Sequence, residues 1–417
     1  MKLSGAFRAR VYEAWIEMRE NFGRSILQAL GVMVGVAAVL GGFSISDSQR
    51  KRSDEMWVKR GGMDRMVVQP AAAVKGGSSQ SALQTANLGL RNQDTIEGED
   101  IGRNFIAAAS EQRNARVRIR SPFADQERRV TGAGGHYLEL EGFELDEGRL
   151  ISDEDLSRGG AVAVLGAEAV STFFPAGEAV GRQMRVGDVI VTVIGTLKEK
   201  IFRFQSDGGN IFAWQNEIVA VPATLVSRRM QGDVYRRVDR ITFKIPELTV
   251  MEKFATDLAT MLKANHRQQE DYRIDDIAAR VRKRRSQGDV YDMIFMLSGI
   301  LSLIGGGMVN VNIQLASLKE RIREVGVKMA IGASGPEVFK QFMTEALLLT
   351  SVGGLVGLGL GVAFSKLITT FVEIPLHLDP MSFVWAYLLA SIFGFVFALY
   401  PAWKASRLSP MEALRYE

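Results

Sequence analysis

The sequence predicts an α-helical membrane protein with four transmembrane helices and an α+β two-subdomain extracytoplasmic domain between the first and second helix. Three observations support this fold class. Four stretches of the chain contain no charged side chain, each is about 20 residues or longer, and basic residues gather in the flanks of one side. An ionised group at mid-bilayer costs about 2.5–3.5 kcal/mol, so charge-free stretches of this length are typical of membrane spans.

The charge-free stretches lie at residues 25–46, 293–318, 346–365 and 380–403. Each is long enough for a helix, which rises 1.5 Å per residue, to cross about 30 Å of hydrocarbon. We predict transmembrane helices at 25–46, 290–318, 343–368 and 380–403. Buried helices of a soluble protein are the alternative, and four such runs in one chain argue against it.

The composition of the whole chain conceals this pattern, because 24% of its residues are charged. The absence of cysteine excludes disulfides, thiolate metal sites and cysteine nucleophiles, but it fits either side of a membrane. We predict no nucleic-acid partner for the chain.

The short flanks predict a cytoplasmic N-terminus by the positive-inside rule. Basic residues are frequent before the first span, between the second and third, and after the fourth, whereas the short loop around residues 373–379 has none. The run Arg280–Arg285 disagrees, since it lies on the side predicted to be outside. Long domains translocate largely regardless of charge, so the domain at 47–289 is predicted to be periplasmic or extracellular.

Before the first span, the spacing of apolar residues in residues 1–24 predicts an amphipathic helix in the membrane interface. Phe7, Val11, Trp15, Met18 and Phe22 recur every three or four residues among charged side chains. A short soluble helix packed on a partner is the alternative. A cleaved signal peptide is disfavoured, because the charged region and the apolar run are both too long and no small-residue cleavage pattern follows.

Glycines within the spans repeat at intervals of four residues, which places them on one helix face where backbones can approach closely. We predict helix packing at Gly31, Gly35, Gly353, Gly357 and Gly361. No predicted span interior holds Asp, Glu, Lys, Arg or His, which argues against a proton- or ion-coupled transporter.

The domain at 47–289 shows short strand patterns interleaved with helical ones, and the helix after the first span continues through Met56–Val58. Because the chain leaves and re-enters the membrane through neighbouring helices, residues 47–130 and 236–289 are predicted to form a membrane-proximal subdomain. Residues 131–235 would form a distal inserted subdomain. Ala71–Ser81 is predicted to be a mobile loop.

Enzyme motifs are absent from the sequence, which has no phosphate-binding loop, His-Glu-x-x-His or Gly-x-Ser-x-Gly. His136, His266 and His377 are far apart and are predicted to be solvated or packed. The acidic pairs Asp153 with Asp155 and Asp275 with Asp276 are interpreted as helix starts and turns. We therefore predict no catalytic residue and no metal site in this chain.

The segment at 319–342 carries the sharpest local signal, a helix, a tight turn at Gly332 and Gly335, and a second helix leading into the third span. Its string Glu320–Ser334 resembles the signature of the FtsX-like permease family. The end of the chain, Tyr400–Glu417, is similar to that family's C-terminus, in which a Pro-Ala pair closes the last span and a short helix follows, here at 404–417.

The resemblance covers the whole chain. Gly148-Arg149, Asp153, Ala161–Gly166 and Val191–Gly195 look like the periplasmic core domain of MacB-type ABC transporters. That family carries an ATPase before the interfacial helix, whereas this sequence begins almost directly with that helix. The resemblance therefore implies a separate ATPase subunit.

The resemblance further implies mechanotransmission, in which ATP-driven closure of the ATPases moves the outer domains of a permease dimer. This chain itself would bind no cofactor and would not be an enzyme, with ATP and Mg²⁺ held by the partner. Other implied partners are a second permease copy or paralogue, membrane lipids, and a periplasmic adaptor with an outer-membrane channel. The residues expected to couple to the ATPase are Arg323, Glu324, Val325, Gly326, Lys328, Ala330, Ile331, Gly332, Ala333, Pro401, Ala402, Pro410, Ala413 and Leu414.

Two further functions stay open on the sequence alone. One is an FtsX-like signalling or scaffold protein that regulates a periplasmic cell-wall hydrolase, and the other is a lipoprotein-releasing permease. The size of the outer domain favours export of a periplasmic substrate from the inner membrane. The sequence gives neither the substrate nor the choice between homodimer and heterodimer.

Overall fold

The computed structural model describes residues 5–71, 89–204, 208–373 and 375–409, together with residues 411 and 413. Four of its helices are long and apolar enough to cross a membrane, which confirms the predicted fold class. The chain forms two compact units. One combines the N-terminal part up to Arg52 with Ser286 onward, and the other is Ser53–Arg285.

Helices and strands alternate irregularly between the first and second long apolar helix, whereas the rest of the chain is helical. In chain order the elements are α1 (Gly5–Glu20), α2 (Phe22–Lys59), β1 (Arg65–Pro70), α3 (Asn92–Ile101), β2 (Ala108–Arg120), β3 (Asp125–Ala133), α4 (Tyr137–Leu140), β4 (Leu145–Gly148), α5 (Asp153–Arg158), β5 (Val162–Leu165), α6 (Ala167–Phe173), β6 (Gln183–Val186), β7 (Val189–Leu197), α7 (Ala213–Asn216), β8 (Val219–Pro222), α8 (Ala223–Leu225), β9 (Arg240–Lys244), α9 (Met251–Asn265), β10 (Tyr272–Asp276), α10 (Ile277–Glu320), α11 (Ile322–Ala330), α12 (Gly335–Val372) and α13 (Pro380–Ser406).

The four predicted spans lie within α2, α10, α12 and α13, and the first three of these helices are considerably longer than the spans themselves. A helix satisfies its own backbone hydrogen bonds, so it continues without penalty past the point where charged side chains begin. The interfacial helix ends earlier than predicted. It is interrupted at Asn21, and Phe22 begins α2 instead of completing the amphipathic face of α1.

The glycines predicted to pack helices lie where helices approach each other closely. A Cβ atom at Gly31 would stand 2.2 Å from the Cα atom of Gly306 on α10, and one at Gly35 would stand 2.6 Å from the Leu303 side chain. The three glycines of α12 lie against α2, at Ala29, at Met33 with Val36, and at Ala37 with Leu40. These contacts bring the backbones of α2, α10 and α12 together.

A second stripe of small residues, on α13, was not predicted from the sequence. Its buried members recur every four residues, and a Cβ atom at Gly394 would stand 2.3 Å from the Thr350 side chain of α12. Because alanine is common in any helix, such a stripe stands out less in a sequence than repeated glycine. The stripe consists of Ser382, Ala386, Ala390, Gly394, Ala398 and Ala402.

In the second unit all ten strands belong to one sheet, in the order β10-β1-β9-β2-β3-β8-β5-β7-β4, with β6 paired to β2 and β7. The pairs β3–β8 and β5–β7 are parallel, and the others are antiparallel. Strand β2 is the longest, at 13 residues. Its first half pairs with β9 and its second half with β3, so it belongs to both halves of the sheet.

Separate hydrophobic clusters pack against the two halves of the sheet. The first contains Phe243, Ile241 and the buried face of α9, formed by Met251, Phe254, Leu258 and Leu262. The second contains Ala115, Ile119 and Val130 with β5–β8. The predicted subdomain boundary at residue 130 is therefore displaced, because strand β2 crosses from one cluster to the other and carries Ala115 and Ile119 into the second.

The strand patterns of the sequence lie at Met63–Val68, Val117–Ile119, Arg129–Thr131, Ala161–Leu165, Gln183–Val186, Val189–Ile194, Ile218–Val221 and Ile241–Ile245, and they correspond to β1, β2, β3 and β5–β9. The helical patterns Glu168–Phe174 and Val250–His266 correspond to α6 and α9. Elements β4, β10 and α3 were not predicted from the sequence. Strand β10, with the sequence Tyr-Arg-Ile-Asp-Asp, carries charge because it is half-exposed and pairs on one edge alone, with β1. Most of the predicted loop Ala71–Ser81 lies outside the described residues.

The close contact at Gly31 gives a prediction for stability. Replacing Gly31 with alanine should lower the thermal unfolding midpoint of the purified protein in detergent, because overpacking against Gly306 costs about 1–3 kcal/mol. Gly359→Ala is the matched control, since a Cβ there meets nothing within 4 Å. It should leave the midpoint unchanged or raise it through helix propensity, worth up to about 1 kcal/mol. Equal midpoints for the two variants would contradict this packing.

Candidate coupling site at the cytoplasmic helix ends

Between α10 and α12 the chain forms a short, separately bounded helix, α11. The helical path of α10 breaks at Arg321, and α11 ends at Ala330 before a turn in which Gly332 has φ of 114°. Side chains rarely adopt this left-handed conformation, so glycine is required there. The carboxylate of Glu337 then accepts hydrogen bonds from the backbone N–H of Ser334 at 2.8 Å and from its hydroxyl at 3.0 Å. Gly335 is the first residue of α12, so the prediction that it breaks the helix was wrong.

One face of α11 is buried against the ends of the membrane helices. Val325 is 4% exposed and packs in a cluster with Val338 and Phe342 of α12 and with Ala402 and Ala405 of α13. Beside it, a Cβ atom at Gly326 would stand 2.6 Å from the Cβ atom of Ala413. A larger residue at position 326 would therefore displace the segment that follows α13.

The opposite face of α11 is open and mixes apolar with charged side chains. Val327 is 41% exposed, and Ile331, which directly follows the last residue of α11, is 82% exposed. Both are within three residues of the exposed Lys328. The ammonium of Lys328 contacts the carboxylate of Glu324 at 3.0 Å. Partial burial acts to raise the pKa of Glu324, but the contacts with Lys328 and Arg321 outweigh it and the pKa is lowered. At neutral pH this face therefore presents ionised groups around an uncovered isoleucine.

The predicted coupling residues divide between these two faces. Those that solvent can reach are Arg323, Glu324, Lys328, Ala330, Ile331 and Gly332, and Ala333 is half-buried. Those that are buried are Val325, Gly326, Pro401, Ala402 and Ala413. Pro410 and Leu414 lie outside the described residues. Sequence spacing alone could not separate the faces, because it does not show which neighbour covers the helix.

Arg321, at the break between α10 and α11, was not among the predicted site residues. Its Nη1 contacts the carboxylate of Glu17 on α1 and lies 3.5 Å from the carboxylate of Glu345 on α12. Its guanidinium also lies 5.7 Å from the ring centroid of Phe342. All three charged side chains are largely buried, at 17%, 21% and 24% exposure. One arginine thus ties the interfacial helix, the start of α11 and the start of the third span together.

A second arginine makes a similar connection. Arg24 contacts the carboxylate of Glu320 at 2.6 Å and donates a hydrogen bond to the hydroxyl of Ser317 at 3.1 Å. This joins α2 to the last turn of α10. In the sequence, Arg24 and Arg321 are visible only as charged residues beside the spans. They were used there to predict the orientation of the helices and not their contacts.

The acidic pairs considered as acid–base or metal groups have structural partners. Ser152 caps α5, because its hydroxyl accepts a hydrogen bond from the backbone N–H of Asp155. The carboxylate of Asp155 pairs with Arg149 at 2.6 Å and accepts a hydrogen bond from the backbone N–H of Ser152 at 2.9 Å, and these contacts lower its pKa to about 2. Asp275 pairs with Arg280 at 2.6 Å and Asp276 with Arg282 at 3.5 Å. Within the described part of the chain no group of His, Cys, Asp and Glu could hold a metal ion.

These pairs also account for much of the basic run that disagreed with the predicted orientation. Arg280 and Arg282 are neutralised by β10, and Arg285 contacts Asp54 at 2.6 Å. Three of the five basic residues in this run are therefore matched by carboxylates of the same unit. The run weighs less against a periplasmic position of the domain than its sequence indicated.

His266, at the end of α9, lies between two carboxylates and is not a solvated imidazole. Its Nδ1 is 2.5 Å from Asp271 and its Nε2 is 3.3 Å from Asp94 on α3. Burial acts to lower the pKa of His266, but the two carboxylate contacts outweigh it and raise that pKa. Both ring nitrogens face acceptors, so the doubly protonated imidazolium is the form that satisfies the cluster.

Lys200 is a buried ammonium of the same unit. It donates to the carbonyl oxygen of Glu141 at 2.6 Å and to Gln215 at 3.0 Å, and it stands 4.5 Å from the ring centroid of Phe143. Burial lowers the pKa of Lys200 to about 8, and the attraction of Glu141 opposes that shift. Two hydrogen bonds and the aromatic ring hold the ammonium within the protein, which gives the lysine a structural role.

Comparison with known protein families connects this geometry to a class of transporter. Residues 25–261 match the model of the MacB-like periplasmic core domain, and residues 296–410 match that of the FtsX-like permease C-terminal region. The first match alone spans more than half of the chain. The chain belongs to the MacB-like family of FtsX-type permeases. It is therefore an ABC transporter permease of the inner membrane, with its second unit in the periplasm.

Curated relatives of this permease agree with the family match. The chain is 29% identical over 403 residues to the macrolide export ATP-binding/permease protein MacB of Azoarcus sp. (strain BH72), covering 96% of this chain and 58% of that protein. It is 28% identical over 404 residues to MacB of Wolinella succinogenes, covering 97% of this chain and 60% of the relative. The permease thus spans about three fifths of the length of these relatives.

Two solved structures are similar to about half of this permease. The periplasmic region of MacB from Actinobacillus actinomycetemcomitans matches with a TM-score of 0.43 and 17% identity, over 53% of this chain and 92% of that one. The extracellular domain of the noncanonic ABC-type transporter YknZ from Gram-positive bacteria matches with a TM-score of 0.41 and 16% identity, over 51% and 99%.

The cluster around His266 predicts a pH dependence. Its pKa is raised in the folded protein, so its contribution to stability is complete below the unfolded value near pH 6.5 and is lost as the pH rises through the folded value. We expect the hydrogen-exchange protection of α9 and β10, corrected for the intrinsic exchange rate, to fall as the pH rises above 6.5. The total fall should be roughly tenfold for each unit by which folding raises the pKa of His266. His266→Gln should flatten this dependence. A wild-type profile that matches the variant's would contradict the assignment.

Proposed function

We propose that this permease is the mechanical subunit of an exporter, which couples ATP hydrolysis in a separate ATPase subunit to movement of periplasmic domains. The observation that carries the proposal is the open face of α11, with Ile331 82% exposed, mounted on closely packed helix ends. On this proposal the ATPase partner binds ATP and Mg²⁺.

The open face has the chemistry of a protein docking site. An isolated apolar side chain surrounded by charge is typical of an interface anchor, in which one residue fills a partner pocket and the charged rim sets orientation. Ile331 supplies the anchor, and Arg323 and Lys328 supply the rim. We assign the partner pocket to the ATPase, because α11 lies on the side where basic flanks predict cytoplasm.

The buried face of α11 gives a route for the movement. Val325 packs against the start of α12, and Gly326 contacts the segment after α13, so a displaced α11 pushes on two spans at once. Close-packed interfaces of this kind transmit displacement, because they do not compress. On this proposal Val325, Gly326, Pro401, Ala402 and Ala413 support the coupling, and the exposed residues contact the ATPase.

Several features support export of a substrate that is taken up on the periplasmic side. The four charge-free stretches contain no Asp, Glu, Lys, Arg or His that would line a polar pathway, and the periplasmic unit is large. The curated relatives are named for macrolide export. We propose efflux of a periplasmic substrate, with a second permease copy and, further out, an adaptor and an outer-membrane channel as partners.

The docking face gives the first functional prediction. Ile331→Glu should abolish co-purification of the ATPase from detergent-solubilised membranes, because it replaces the anchor with a charge that a pocket cannot desolvate. An anchor of this type contributes about 2 kcal/mol or more, which corresponds to roughly a thirtyfold loss of affinity. Membrane insertion and yield of the permease should stay at the wild-type level.

Leu248→Glu is the matched control, because Leu248 is also an exposed aliphatic residue but lies in the periplasmic unit. It should leave ATPase binding unchanged. Gly326 is unsuitable for this test, since it is buried and a large residue there disturbs packing whether or not an ATPase docks. Wild-type ATPase binding by Ile331→Glu would contradict the docking site. Recovery of a cell-wall hydrolase alone, without an ATPase, would support the scaffold function instead.

The Arg321 cluster gives a second functional prediction. Arg321→Met removes the cation that contacts the largely buried carboxylates of Glu17 and Glu345, so we expect α1 and α12 to separate from the start of α11. We expect the ATPase to bind as in wild type, while transport falls by about tenfold. The expected loss is no larger because solvent still reaches the side chains of Glu17 and Glu345 and weakens the ionic contact. Arg321→Met/Glu345→Gln removes one unpaired charge and should recover part of the activity. Parallel loss of binding and transport would contradict a role in transmission.

A further inference from the structure

A narrow polar cavity lies at the cytoplasmic end of the membrane helices, between α1, α2, α10 and α12. Each of these helices contributes a polar side chain to its lining, namely Glu17, Gln28, Gln314 and Glu345 in that order. The enclosed space of about 20 Å³ takes one group the size of a water molecule, and the cavity continues into an open mouth. The site is therefore small, and it is reached from outside the protein.

Two amides of this cavity lack a hydrogen-bond partner. Gln28 is 7% exposed, and Gln314 is half-buried. Within the described part of the chain no residue forms a hydrogen bond with either side chain. A buried amide without a partner is unfavourable, so both side chains call for a polar group inside the cavity.

On the Arg321 side of the cavity the carboxylates outnumber the cations. Glu17 and Glu345 share the guanidinium of Arg321, and no other cation of the described residues forms an ion pair with either. Glu324 also contacts Arg321, at 3.3 Å, but it has the ammonium of Lys328 at 3.0 Å as a second partner. One carboxylate at the cavity is therefore left without a cation of its own.

Arg24 does not supply the missing cation, although it also lines the cavity. Its guanidinium contacts the carboxylate of Glu320 at 2.6 Å and donates to the hydroxyl of Ser317 at 3.1 Å. The cavity thus keeps an excess of one negative charge. Because carboxylate and amide oxygens accept hydrogen bonds, the group that suits it is a monovalent cation that donates them.

We propose that this cavity binds the primary ammonium of an inner-leaflet phospholipid, the headgroup of phosphatidylethanolamine. An ammonium is about the size of a water molecule, so it fits the enclosed space, while the rest of the headgroup stays in the open mouth. Its three N–H donors suit the oxygens of Glu345, Gln28 and Gln314. The trimethylammonium of a choline headgroup is larger and has no N–H to donate, so the cavity selects against it.

The position of the cavity favours a lipid over a soluble amine. Gln28 and Gln314 lie within about 6 Å of the cytoplasmic ends of their charge-free stretches, at 1.5 Å per residue, which is close to the level of the headgroups. The wall formed by α1 belongs to a helix whose Tyr12 and Trp15 are exposed, as aromatic side chains of the membrane interface are. Headgroups therefore surround the mouth at a local concentration that a soluble amine does not reach.

The test is lipid retention by the full-length permease. The protein is taken from nanodiscs that contain equal amounts of phosphatidylethanolamine and phosphatidylcholine into mild detergent, and the bound lipids are counted by native mass spectrometry. We expect wild type to retain phosphatidylethanolamine in preference. Gln28→Leu should weaken that retention by about tenfold, as expected when a hydrogen bond to a charged group is lost.

Gln341→Leu is the matched control, because Gln341 is a half-buried amide of α12 that does not line the cavity. It should retain phosphatidylethanolamine as wild type does. Equal retention of the two lipids by wild type, or equal losses in Gln28→Leu and Gln341→Leu, would overturn the site. Displacement of the lipid by an equal concentration of free ethanolamine would overturn the lipid as the source of the ammonium.

A series of lipids tests the same site in wild type, so the result does not depend on the folding of a variant. Retention should fall stepwise from phosphatidylethanolamine through its N-methyl and N,N-dimethyl derivatives to phosphatidylcholine, because each methyl group removes one N–H donor and adds bulk. A flat series would overturn the proposal. The inference goes beyond the proposed function and does not depend on it, since the ATPase takes part in none of these measurements.

Discussion

The ion cluster at Arg321 is the interaction on which the cytoplasmic half of this permease depends. The hydrocarbon excludes ionised groups from the spans, so charges that hold the helices in place can act only at the helix ends. There, one guanidinium meets the carboxylates of Glu17 and Glu345 and lies beside the Phe342 ring. The interfacial helix, the break before α11 and the third span are all positioned through it. Its partial burial makes it stronger than a surface pair and more damaging to break.

Within the membrane, the helices are held against each other by contacts at glycine and other small residues. Gly31 against Gly306, and the α12 glycines against α2, bring backbones close enough for dispersion to hold helices that lipid would otherwise solvate equally well. Contacts of this kind favour movement of whole helices over bending within them. Under the proposed function, a push on α11 passes through Val325 and Gly326 to two spans, without any polar path through the bilayer. The helices behave as levers in this account.

Sequence patterns predicted the features that depend on composition along the chain, and missed those that depend on contacts between distant segments. The four spans follow from charge avoidance, and the glycine repeats are visible in the sequence. The role of Arg321 is not visible, because Glu17 and Glu345 lie far from it in the chain. His266 was interpreted as solvated or packed, because its partner Asp94 lies 172 residues away in sequence and no nearby residue indicates the contact. The sequence also did not show that Ala115 and Ile119 pack in the second cluster, because strand β2 contributes to both hydrophobic clusters.

The central claim is that movement starts at α11 and reaches the periplasmic units of two copies. The most direct measurement is the distance between spin labels at Glu178→Cys, an 82% exposed side chain of the periplasmic unit, in the permease reconstituted with its ATPase. The account predicts one distance distribution without nucleotide and a shifted distribution with a non-hydrolysed ATP analogue. It also predicts that the shift disappears when the ATPase is left out. An unchanged distribution with the ATPase and nucleotide both bound would contradict it.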